Sequence, residues 1–115
     1  MSLLSDIKTL VTASPISLTC EVGIFKATPA PDQYVVLDPL GDMFNCSDDV
    51  PETEVQAVRI SIYSKTSYTT VAKSIAKALI GAGHTITERR YIGHEDDTGY
   101  HHYVIDVEEN YTWED

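Results

Sequence analysis

The chain has 115 residues, 43% of them hydrophobic and 23% charged, which predicts one folded domain burying roughly two-thirds of the surface its unfolded chain exposes. Eighteen acidic residues against eight basic ones give a formal charge of −10; this excludes a nucleic acid or an anionic membrane held by many phosphate contacts, because each contact needs a Lys or Arg. No apolar run approaches the roughly 20 residues that span a bilayer, and Met1 to Leu10 lacks a basic stretch and carries Asp6, so a soluble cytosolic chain without a secretory signal is expected.

Leu3, Leu4, Ile7, Leu10 and Val11 fall on one stripe behind Ser2, a good N-cap, and Ser14-Pro15 ends the pattern; this predicts a first helix. Ile16 to Ala27 reads as extended, with Leu18, Cys20, Val22 and Ile24 alternating against polar or small residues. Pro29 to Asp32 breaks the chain, and Tyr34 to Leu37 is a short buried strand bounded by Asp38-Pro39. Leu40 to Glu54 shows no period and holds five carboxylates without a base, as a long loop or an irregular strand extension would. Leu40, Met43, Phe44 and Val50 are nevertheless too apolar for a purely solvated loop, which marks Met43 and Phe44 as contacts that a neighbour completes.

Val58, Ile60 and Ile62 alternate with Arg59, Ser61 and Tyr63, a half-buried strand. From Ser67, the residues Tyr68, Val71, Ala72, Ile75, Ala76, Leu79 and Ile80 recur with helical period, and Gly81-Ala82-Gly83 stops the helix. Thr85 to Gly93 and Tyr100 to Glu109 read as a hairpin turning at Glu95 to Gly99, with Tyr103, Ile105 and Val107 on one face. Asn110 to Asp115 reads as a polar tail containing the only tryptophan, Trp113. The whole is predicted to be a single α+β domain over residues 1–115: a mostly antiparallel sheet of about four to five strands with two helices on one face.

No catalytic motif is present. His94, Glu95, Asp96, Asp97, His101 and His102 carry the right ligand chemistry for a divalent metal. His101 and His102 are adjacent in a strand, however, and point to opposite faces, while Asp96, Asp97 and Gly99 suit a turn for conformational reasons alone. Cys20 and Cys46 lack zinc-ligand spacing, so two free thiols are expected in a reducing compartment, with a bridge between neighbouring strands left open. No cofactor is expected. Charge is segregated: every Lys and Arg lies at or before Arg90, and eight acids follow it. Separation of this kind suits head-to-tail contact between copies, a basic patch facing an acidic one, and Asp48, Asp49, Arg89, Arg90, Glu95, Asp96 and Asp97 are, with Met43 and Phe44, the candidate interface residues.

Ile60-Ser61-Ile62-Tyr63-Ser64-Lys65 leading into the helix, then Arg89-Arg90-Tyr91-Ile92-Gly93-His94-Glu95-Asp96-Asp97-Thr98-Gly99-Tyr100 leading into Tyr103 to Val107, resemble the small tail-completion (tail-terminator, tail-to-head joining) proteins of long-tailed phages and prophages. The likeness runs from about Leu3 to Tyr111 and includes the order of elements. It implies a non-enzymatic subunit, without cofactor, that forms a six-membered ring at the head-proximal end of the tail tube. Its implied partners are copies of itself, the tail-tube protein and the head-completion connector, and its implied places are the host cytoplasm during assembly and then the virion tail. An acidic lumen, lined by the 40–54 segment or the 95–97 turn, would repel the DNA passing through it. Two other readings remain in view: an acidic inhibitor that mimics DNA charge, and a metal-dependent hydrolase built on the 94–102 hairpin.

Overall fold

The computed structural model describes residues 2–23, 30–47 and 50–113. Helix α1 spans Leu3–Thr12, and the Ser2 hydroxyl accepts a hydrogen bond from the Ser5 amide at 3.2 Å, satisfying one of the open donors of its first turn. Strand β1 (Thr19–Val22) is short; its expected continuation past Gly23 and the Pro29 break lie outside the described residues. Strands β2 (Gln33–Ser47) and β3 (Val50–Ser64) form a long hairpin, followed by α2 (Tyr68–Gly81), β4 (Thr85–His94) and β5 (His101–Thr112).

The sheet order is β1-β2-β3-β5-β4. Among the described residues, only β1 and β2 are parallel neighbours. Strands β3 and β4 each pair antiparallel with β5, so they run parallel to each other with α2 as their crossover and β5 inserted between them, a split β-α-β arrangement. Both helices cover one face. Val35, Leu37, Val58, Ile60, Ile62, Ile105 and Val107 meet Leu3, Ile7 and Val11 from α1 and Ala72, Ile75, Ala76 and Leu79 from α2 in one core, as the two periods require. Val71 packs at its margin, only partly buried.

Of the two readings of the 40–54 stretch, the structure shows the irregular strand extension and not the long loop: β2 stays paired with β3 from Gly41↔Ala57 to Ser47↔Val50. Register shifts at Pro39/Gly41 and Asn45/Cys46 change which residues share a face, so no single period of two survives in the sequence. Residues 110–112 are not a tail; they extend β5 along Thr53–Val55. Tyr111 holds them down, its hydroxyl donating to Asp6 Oδ2 at 2.6 Å, while the Leu3 amide donates to Gln56 Oε1 at 2.7 Å. Beyond these α1 contacts the hairpin continues as an arm, and the molecule measures 52 × 25 × 24 Å.

Candidate functional site: the hairpin arm and the basic helix face

Apolar side chains stand exposed on both faces of the arm. Met43 is 70% exposed, and Leu40, Phe44 and Trp113 are each close to half exposed. Neighbours along a strand alternate faces, so Met43 and Phe44 separate. Met43, opposite Val55, lines a shallow groove with Leu40, Gly41, Ala57 and Glu108 on the helix-free face. Phe44, opposite Glu54, lies on the helix side and meets Trp113 edge-on, with ring centroids 4.5 Å apart. The Trp113 amide donates to the Glu52 carbonyl at 3.1 Å, which fixes the indole over the arm. Glu54, opposite Phe44, accepts from Gln56 Nε2 at 3.4 Å; Glu52 and Asp42 are exposed on the same arm, Asp42 lining the Met43 groove. Asp48 and Asp49 lie outside the described residues. A hairpin wet on both sides has no folding reason to carry this apolar surface.

The opposite charge gathers on α2. Its sequence, YTTVAKSIAKALIG, contains Lys73 and Lys77 and no acid. At 3.6 residues per turn, Ile80 lies about 20° from Lys73 and about 60° from Lys77 around the axis. It is not part of the buried stripe, contrary to expectation, and is 65% exposed. Arg89, opposite Ile105, shares this side and lines a groove with Tyr68, Thr69, Ala72, Lys73 and Tyr103. Arg90, opposite Val104, points to the other face and pairs with Glu88 at 3.3 Å. The two arginines are thus not one patch, because alternation divides them. Among the described residues, no carboxylate lies within ion-pair distance of Lys73, Lys77 or Arg89.

On the body, the helix-free face is held by polar and aromatic contacts over buried Val36 and Val104. Arg59 grips the buried Asp106 with two hydrogen bonds, at 2.8 and 3.0 Å, the forked geometry that strengthens a guanidinium–carboxylate pair. This bond holds the Arg59 guanidinium charged above its ordinary range. Tyr63 stacks on Tyr34 and on His102, with centroids 4.9 and 4.4 Å away. Burial raises the pKa of both phenols. Tyr100 closes the cluster, donating to the Pro31 carbonyl at 2.6 Å.

The 94–102 hairpin divides as its alternation predicts. His94 and His101 face each other, centroids 4.7 Å apart, and bond to Asp96 and to the Tyr91 hydroxyl respectively, while His102 lies on the other face against Tyr63. Glu95, Asp96 and Asp97 are exposed in the turn. There the Gly99 amide donates to the Glu95 carbonyl, with Gly99 at φ +81°, a conformation that favours glycine. Among the described residues, no group of three or more His, Cys, Asp or Glu is placed to hold a metal ion. Cys20 and Cys46 are unbridged: Cys20 pairs with Val35 in the core, its thiol pushed up to about 11 by burial, and Cys46 is exposed on the arm.

Sequence reasoning singled out Met43 and Phe44, with Leu40 named beside them, but did not mark Trp113 or Ile80 as exposed contact groups. For Ile80 the angle alone does not decide, since it lies at the edge of the stripe, about 20° from Lys73 and about 40° from buried Ala76; for Trp113 no signal was available, because its position depends on β5 continuing past Glu109. No helix among the described residues is long and apolar enough to cross a membrane. A scan against protein-family models found no match to this chain, and a search of curated proteins found no relative.

Proposed function

We propose that the chain is a structural subunit of a long-tailed phage or prophage virion, assembling into a ring at the head-proximal end of the tail tube, where it ends tube growth and joins tail to head. The observation that carries this reading is the arm, whose exposed Leu40, Met43, Phe44 and Trp113 offer the contacts a self-assembling subunit needs. The charge of −10 fits a ring that lets DNA pass without gripping it, because clustered carboxylates repel phosphate. Its partners are further copies of itself, the tail-tube protein and the head connector. Native mass measurement, with and without purified tail-tube protein, tests the proposal. The expected result is a closed oligomer that caps growing tubes and limits their length. A chain that stays monomeric at every concentration and leaves tube length unchanged overturns it.

A further inference from the structure

Two surfaces of this chain complement each other and lie on different elements. On the arm, Glu54 stands opposite Phe44 of the Phe44–Trp113 pair, with exposed Asp42 and Glu52 near it along β2 and β3. On α2, exposed Ile80 is flanked by Lys77 and Lys73, with Arg89 alongside. Each is an apolar centre with a charged rim, which is how protein interfaces are built, and the rims are opposite in sign. Like-charged docking, arm on arm or helix on helix, is disfavoured by the same charges. Lys73, Lys77 and Arg89 have no ion-pair partner among the described residues of their own chain.

We infer that the arm of one copy docks its Phe44–Trp113 side on the Lys73–Lys77–Ile80 stripe and Arg89 of a second copy. The inference rests on the proposed function only in requiring self-association. Because donor and acceptor surfaces differ, the contact is heterologous, and repeated in one direction it closes a ring or propagates a filament.

Cys46 provides a native handle for the test. It is exposed on the arm, whereas Cys20 is buried with a thiol that resists ionisation, so a thiol-to-amine cross-linker attaches to the arm alone. Unlabelled and 15N-labelled protein are mixed, cross-linked and digested, and mixed-isotope peptides report contacts between copies. The expected products join Cys46 to Lys73 or Lys77. K73E/K77E, at two exposed positions, is expected to weaken self-association about tenfold or more, and adding E52K/E54K in the same chain is expected to restore it. Mixed-isotope links that reach only Lys8 or Lys65, or assembly indifferent to the lysine reversal, overturn the docking while leaving a ring subunit intact. A cross-linked two-fold dimer, with the two arms exchanged reciprocally, overturns the one-directional contact and the ring. A monomer at all concentrations overturns both.

Discussion

The imidazole of His102 lies almost flat on Tyr63, and its Nε2 is sealed from solvent without a hydrogen-bond partner among the described residues. Burial disfavours the charged ring and lowers its pKa from 6.5; Glu95 opposes this shift, and Arg59 adds to it. The unfolded chain therefore binds a proton at a pH where the folded chain does not. The sign follows from this linkage: the contribution of neutral His102 is complete above the unfolded value and is lost as pH falls from there through the lower folded value. His102→Phe keeps the stack and removes the titrating atom. Its stability is predicted to fall less than the parent's on going from about pH 7 to about pH 5, measured by urea unfolding; parallel losses in both proteins would contradict this. The opposite orientations of His101 and His102 could be read from strand alternation alone. The same rule separates Arg89 from Arg90, although their shared charge invites grouping. What no residue pattern announces is the Arg59–Asp106 fork, because the register that aligns β3 with β5 has to be known first.

At the scale of elements, the body and the arm answer to different forces. Leu79 is fully buried where α2 meets the sheet, and Leu79→Ala is predicted to cost about 2–5 kcal/mol of folding stability. Phe44 is half exposed and touches Trp113, so Phe44→Ala is predicted to cost the monomer only about 1 kcal/mol while reducing assembly. Denaturant unfolding reads the first quantity and native mass the second; a Phe44→Ala protein that unfolds as easily as Leu79→Ala would make the arm part of the core. Both helices and β5 were readable from the sequence because their apolar residues recur with a steady period, while β4, whose register shifts at Ile86/Glu88 and Tyr91/Gly93, was placed by the turn at Glu95 to Gly99. The arm was not, since the shifts at Pro39/Gly41 and Asn45/Cys46 erase its alternation. The end of β5 was missed for another reason: Glu108, Glu109 and Asn110 look solvated, and it is the Tyr111 bond to Asp6 that binds this stretch to α1.

For the molecule as a whole, a basic helix stands at one place and an acidic arm at another, but this is not the separation seen along the sequence: Asp42, Glu52 and Glu54 of the arm precede Arg90, and the described acids after it lie in the 95–97 turn and on β5. The split β-α-β arrangement bears on how such a subunit is made. Strand β5 follows every other described element in the chain, yet it lies between β3 and β4. While the chain is being translated, β3 and β4 lack the neighbour that joins them, and the core lacks Ile105 and Val107. The sheet therefore closes late, through pairing of segments far apart in sequence, which is slow and leaves edges open in the meantime. Ribosome-stalled chains whose emerged portion stops at Asp97 are predicted to be digested rapidly by protease, with resistance arising only after His101–Thr112 has emerged. A protease-resistant core in the shorter chains would contradict this. If copies dock as proposed, chains whose α2 awaits closure of the sheet become able to dock only after β5 is made, which keeps copies on one polysome from joining early.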